Sequence, residues 1–179
     1  MKFFKGILVF LAVVLLLLLV VAFFLPSSYH VERSVTIACP DSVVYEQVID
    51  FHNWQKWDPW SEADPEAIYS IQGAPRGVGS IWSWEGKVVG TGSQTIVAAE
   101  EDRMVENNLV FTHPQAMEAV NTWSFESRDG ETKVIWSMQG KLDYPVGRYV
   151  GLFMEQMLGP DFEKGLKNLK RVSEKMCQP

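Results

Sequence analysis

The sequence predicts an α+β fold: a curved antiparallel sheet of about seven strands wrapped around a long C-terminal helix, preceded by one transmembrane helix. Three observations lead there. Residues 7–25 are apolar without interruption, residues 66–142 alternate with period two, and residues 146–176 repeat their apolar positions every three or four.

The first stretch, "ILVFLAVVLLLLLVVAFFL", holds nineteen apolar residues. At about 1.5 Å per residue it makes roughly 28 Å of helix, close to the roughly 30 Å apolar core of a bilayer. A helix buried in a soluble core shows a polar stripe, and this one has none. It exceeds the roughly 7 to 15 apolar residues of a secretory signal. It also ends in "AFFLPSSYH", with Phe23, Phe24 and Leu25 where a cleavage site needs small residues. Residues 1–25 therefore read as a retained anchor. Lys2 and Lys5 precede it, and Arg33 is the only Lys or Arg in the next twenty positions. The excess of basic residues on the amino-terminal side puts that terminus in the cytoplasm and the remainder outside.

Residues 26–30 form a short tether and residues 31–179 the folded domain. "YHVERSVTIACP" sets Val31, Arg33, Val35 and Ile37 against Glu32, Ser34 and Thr36, a strand that ends at Pro40. "PDSVVYEQVIDFHNW" follows with Asp41 or Ser42 as helix cap and Val44, Val48 and Phe51 at helical spacing. Pro59 and Pro65 rule out a long helix through "FHNWQKWDPWSEADP". Six further strands are expected in "AIYSIQG", "GSIWSWEGKVVG", "GSQTIVAAE", "RMVENNLVF", "MEAVNTWSFES" and "TKVIWSMQGKL". Asp129-Gly130 marks a tight hairpin between the last two, and short turns elsewhere make the sheet an antiparallel meander. The final helix carries Val146, Tyr149, Val150, Phe153 and Met157, then Phe162, Leu166, Leu169 and Val172, with a kink or split expected at Gly159-Pro160.

Charge excludes one class of function. Beyond residue 25 the chain holds 14 basic and 22 acidic side chains, a net −8. Such a domain repels nucleic acid and anionic lipid surfaces. The spacing of Cys39 and Cys177, 138 residues apart, leaves their pairing open.

Several of these stretches together resemble one superfamily. "LPSSYHVERSVTIACP", "NWQKWDPW", "GVGSIWSWEG", "TKVIWSMQG" and "GPDFEKGLKNLK", with the element order above, are similar to membrane-anchored bacterial members of the START and polyketide-cyclase (SRPBCC) superfamily. The resemblance spans essentially the whole chain. It implies a helix-grip fold and places the anchor in a bacterial inner membrane, with the domain on the periplasmic side. Members include lipid carriers and cyclases, so fold leaves activity open.

Alternation assigns the inward faces. Trp82 and Trp84 share one face, Asn121, Trp123 and Phe125 another, and Val134, Trp136 and Met138 a third. Opposite them the helix offers Tyr149, Phe153, Met154 and Met157. These side chains form either a filled core or an aromatic, Met-lined pocket for a large apolar ligand, and the resemblance favours the pocket. Trp54, Trp57 and Trp60 then plug one end of the groove, gate its entrance, or sit at the membrane interface.

Catalytic signals are sparse. His30, His52 and His113 lack metal-ligand spacing, and no nucleophile elbow is present in the sequence. "GKVVGTG" and "GVGS" read as turns or bulges. Asn107 and Asn121 fall on apolar faces, where an unbonded amide is costly. No catalytic residue, metal or cofactor is nominated. The leading expectation is a membrane-anchored, non-enzymatic binding domain for a hydrophobic small molecule or lipid. The candidate pocket comprises Trp57, Trp60, Trp82, Trp84, Asn121, Trp123, Phe125, Trp136, Met138, Tyr149, Phe153 and Met157. A cyclase- or hydrolase-type enzyme using the same pocket, and a structural or interaction domain with a filled cavity, are the alternatives.

Overall fold

The structure is a computed structural model that describes residues 2–178. Helix α1 runs Lys2–Phe24, and its segment Phe3–Phe24 is long and apolar enough to cross a membrane. The strands are β1 (Ser28–Ile37), β2 (Ile68–Gly73), β3 (Ser80–Gly86), β4 (Gly90–Glu100), β5 (Met104–His113), β6 (Met117–Arg128) and β7 (Glu131–Lys141). They form one antiparallel sheet in the order β1-β7-β6-β5-β4-β3-β2. Only β1 is out of sequence order. It begins inside the stretch read as a tether, because Ser28 already pairs with Lys141.

Between β1 and β2 lie α2 (Asp41–Ile49), a 3₁₀ segment (Phe51–Lys56) and α3 (Pro59–Ala63). After β7 come α4 (Val146–Gly151) and α5 (Met154–Cys177). α5 crosses the sheet over β1 and β7 and also touches α2 and α3. The predicted sheet-around-helix architecture is the observed one.

Local chemistry accounts for the turns. Asp129 and Gly130 have φ of 54° and 82°, the positive pair that a two-residue type I′ hairpin requires. β4 carries two register shifts, at Thr91/Gly92 and Ile96/Ala98, which bend the sheet. α2 takes Pro40 at its cap position, and neither Asp41 nor Ser42 caps it: the Asp41 carboxylate accepts from the N–H of Ser42 instead.

The last helix differs from expectation in one respect. It does not split at Gly159-Pro160; the chain breaks earlier, at Leu152–Phe153, where Leu152 and Phe153 N–H groups bond back to the Tyr149 and Val150 carbonyls. α5 passes through Pro160, and beside it Gly159 leaves space against which the Arg33 guanidinium packs. Arg33 there holds Glu155 at 2.7 Å and Glu163 at 2.8 Å, on either side of the proline. α4, freed from the α5 axis, turns to lie along α1.

Cys39 and Cys177 are joined, tying the β1–α2 junction to the last turn of α5 with a Cα separation of 5.8 Å. The bond closes most of the domain into one loop.

Candidate functional site

The concave face of the sheet is built by alternation. Trp123 on β6 faces its register partner Trp136 on β7, and the two rings stack at 4.3 Å. Phe162 of α5 continues the stack, 3.9 Å from Trp136 and nearly parallel to it. Gly165 makes this approach possible, since a Cβ there meets the Trp136 ring at 2.8 Å and Pro59 at 3.1 Å. Trp60 presents its edge to both Trp136 and Phe162.

Trp54 and Trp57 close the groove from the other side. Both are 1% exposed. Trp54 Nε1 donates to the Val48 carbonyl at 2.9 Å and Trp57 Nε1 to the Gln47 carbonyl at 3.1 Å. The carbonyl end of α2 thus fixes both indoles, and their rings meet Trp82 and Trp123 edge-on. Both indoles are thereby buried in the interior, away from any membrane surface. Trp60 is the one of the three that is only half-buried.

Within this aromatic lining runs a row of amides. Gln94 (β4), Asn107 (β5) and Asn121 (β6) are all buried, and Asn107 and Asn121 are register partners. Asn107 Nδ2 donates to Gln94 Oε1 at 3.3 Å, while Asn107 Oδ1 and Asn121 Oδ1 have no protein partner. Two residues further along β6, the indole N–H of Trp123 is also unpartnered, as is that of Trp136. Two acceptors and two donors on one buried face are left without protein hydrogen bonds.

Asp58 is the other unusual group. It is 3% exposed, and its Oδ2 accepts from the backbone N–H and hydroxyl of Ser61, both at 2.7 Å, as the cap of α3. Its Oδ1 has no partner. Burial pushes its carboxyl up to about 6, against the opposing effect of the Ser61 bonds. Tyr29, 7% exposed, is likewise pushed up by burial, to about 12.

Of the sequence-nominated lining, Trp57, Trp82, Asn121, Trp123, Phe125, Trp136 and Met138 are buried together, with Trp60 and Trp84 half-buried at their edge. Tyr149, Phe153 and Met157 are not with them. Phe153 and Met157 are more than half exposed, and the Tyr149 hydroxyl donates to the Leu18 carbonyl of α1. The break at residues 152–153 sends Tyr149 with α4 toward α1, while Met157, inside α5, falls by helical phase opposite the face that Met154, Phe162 and Leu166 present to the sheet. Sequence reasoning passed over Gln94 and Asp58. Gln94 lies in phase with the inward Ile96, and Asp58 stands before Pro59, the signature of a helix start.

Two concavities stand out among the described residues, one at the α4 end of the space between β1 and α5 and one on the outer side of α5. One, of 130 Å³, sits beside β1 and α4, among Tyr29, Leu142, Arg148 and Met154. The other, of 410 Å³, lies on the outer side of α5 beside Lys167, Lys170 and Arg171. The groove that sheet and helix define is packed with aromatic rings.

A seven-stranded antiparallel sheet gripping a long C-terminal helix defines a helix-grip fold. The chain belongs to the Polyketide cyclase / dehydrase and lipid transport family, whose model matches residues 28–174. Curated protein sequences give no significant match. Among solved structures, the Zhui aromatase/cyclase from Streptomyces sp. R1128 superposes with a TM-score of 0.61 at 15% identity, covering 84% of this chain and 96% of that one. A Thermobifida fusca protein gives 0.61 at 19% identity, covering 82% and 93%. A Chromobacterium violaceum protein gives 0.60 at 13% identity, covering 83% and 98%. At these identities the likeness concerns the fold.

Proposed function

We propose that this chain is a membrane-anchored binding protein for an apolar small molecule or lipid that carries carbonyl or hydroxyl groups. The ligand enters the groove between sheet and α5, which the domain's own aromatic rings fill when it is empty and which opens to admit it. One observation carries the reading: the unpartnered Asn107 Oδ1, Asn121 Oδ1, Trp123 Nε1 and Trp136 Nε1 on a single buried face. Leaving a buried polar group unbonded costs about 1–3 kcal/mol, so four together are a large penalty for a face that only needs to pack. A ligand with its own donors and acceptors, lying against these groups as Trp60 and its neighbours shift, removes that penalty. The family description, which includes lipid transport, agrees with this chemistry. α1 supplies the anchor. The bond between Cys39 and Cys177 suits an oxidising, extracytoplasmic side, as does the basic flank at Lys2 and Lys5.

The test is Asn121→Leu, followed by titration with a carbonyl-bearing naphthalene dye. Binding should weaken about tenfold, equivalent to roughly 1.4 kcal/mol, while the fold gains about 1–2 kcal/mol from losing an unbonded oxygen. Equal affinity in both proteins removes the amide from the site. No binding to either leaves a domain whose groove is simply its core.

A second reading has a specific observation behind it. Asp58 is a buried carboxyl with one free oxygen and a value near neutrality, the property a general acid–base needs. A cyclase-type activity on a polyketone is lost in Asp58→Asn if Asp58 acts on substrate, whereas probe affinity is unchanged.

A further inference from the structure

The apolar stripe Val146, Val150, Phe153 and Met157 is spaced as a core-facing helix surface, yet it is 69%, 43%, 55% and 58% exposed. The adjoining Leu152 is 52% exposed as well. These residues lie on both sides of the break between α4 and α5, so apolar side chains of two successive elements are turned outward. Nothing in the fold of the domain uses the stripe.

Its position says what covers it. α4 lies along the last two turns of α1: Tyr149 Oη donates to the Leu18 carbonyl at 2.6 Å and Tyr144 Oη to the Leu19 carbonyl at 2.9 Å. Leu18 is six residues before the end of α1, about 9 Å along the helix axis. A helix packed at that level lies beside the portion of α1 that the bilayer surrounds. The hydroxyls of Tyr144 and Tyr149 are satisfied by backbone carbonyls within the chain, as polar groups near lipid must be. Arg148 Nη1 reaches the Ala22, Phe23 and Leu25 carbonyls at 3.0 to 3.3 Å, capping the carbonyl end of α1 with a positive charge. Glu155, the one acidic group in the first turn of α5, is turned back onto Arg33.

We propose that α4 and the first turns of α5 are a second membrane contact. Val146, Val150, Leu152, Phe153 and Met157 enter the boundary between headgroups and acyl chains, and the domain lies on the bilayer surface in a fixed orientation. The inference rests on the reading of α1 as a retained membrane helix. Interfacial helices bury their apolar face about 5–10 Å deep, which matches the level set by the tyrosine contacts. Acidic as the domain is, this contact is apolar and needs no anionic lipid.

The experiment uses the full chain in liposomes of neutral phosphatidylcholine. Single cysteines replace Val146, Phe153, Leu15 and Glu131, and each is labelled with a nitroxide without reductant, so that the native bond stays closed. Collisions with dissolved oxygen and with a water-soluble nickel chelate then report depth. Leu15 tests the anchor, and Glu131, at the far tip of the β6–β7 hairpin, marks the aqueous phase. The proposal expects the oxygen-to-nickel ratio at 146 and 153 to lie several-fold above that at 131 and below that at 15. A wet signal at 146 and 153 with a deep one at 15 overturns the second contact alone. A wet signal at 15 overturns the anchor and the inference with it. Protection of 146 and 153 from both reagents means that a second copy covers the stripe, which also overturns the proposal.

Discussion

Replacing Trp136 by Ala asks whether the groove is filled. Trp136 is fully buried, sandwiched between Trp123 and Phe162, met edge-on by Trp60 and seated against Gly165. A buried Trp removes about 150–250 Å² from water, which at roughly 25 cal/mol per Å² comes to roughly 4–6 kcal/mol. The Cβ that Ala keeps and the compactness of the unfolded chain reduce this to roughly 3–5 kcal/mol, the usual range for such truncations. Two stacked partners are lost as well, so the upper end, about 5 kcal/mol, is expected. In a domain of this size that lowers the melting temperature by roughly 10–20 °C. The assay is thermal unfolding of the detergent-solubilised full chain, followed by near-ultraviolet circular dichroism, which reads the aromatic stack. Trp136→Phe, which keeps the contact with Phe162, should lose less than half as much. A side chain lining a hollow has few partners, so a loss below about 2 kcal/mol for Trp136→Ala refutes the packed interior.

Three other outcomes follow from single contacts. Gly165→Ala places a methyl 2.8 Å from a ring that Trp123 and Phe162 hold in place, so it should destabilise by about 1–3 kcal/mol despite the better helix propensity of Ala; an unchanged urea midpoint contradicts the close approach. Reducing Cys39–Cys177, which closes a loop of 138 residues, should cost about 4 kcal/mol, read as a lower melting temperature in dithiothreitol that Cys177→Ser reproduces and dithiothreitol no longer changes. Asp58 rises from 3.8 to about 6 on folding. Its contribution is therefore fully present below pH 3.8 and is lost as pH climbs through 6, about 3 kcal/mol in all at roughly 1.4 kcal/mol per unit. Urea midpoints between pH 4 and 6 should accordingly slope less steeply downward in Asp58→Asn than in the parent, and parallel slopes rule out a raised value at this position.

Much of this was readable in the chain because strands with one buried face must alternate. Trp82, Asn121, Trp123, Phe125, Val134, Trp136 and Met138 all face inward, and the Asp129-Gly130 turn is where its residue types require. Helical spacing is less informative, since it gives a stripe without saying what the stripe faces. Val146 has core spacing and faces outward because the chain breaks just after Gly151 and α4 turns toward α1, whereas Met157 faces outward because it lies opposite the buried stripe of α5. Arg33, 127 positions from Pro160, bridges Glu155 and Glu163 across the proline, a contact that no local rule anticipates. The closure of Cys39 onto Cys177 follows from where α5 ends in space. Asp58 carried no signal beyond standing before Pro59; its unpartnered oxygen emerges only once Trp57, Pro59 and the neighbouring elements bury it.

The claim that the groove receives an apolar ligand is tested most directly by native mass spectrometry of the full chain released from the membranes of its source cells in mild detergent. A bound molecule of a few hundred daltons should accompany the parent protein, survive mild activation, and be depleted in Asn121→Leu, whose loss of the amide oxygen removes one of the groups left free for it. The bare mass alone in the parent, under conditions that preserve lipid on other membrane proteins of the same extract, contradicts the claim, and the aromatic interior is then a core and nothing more.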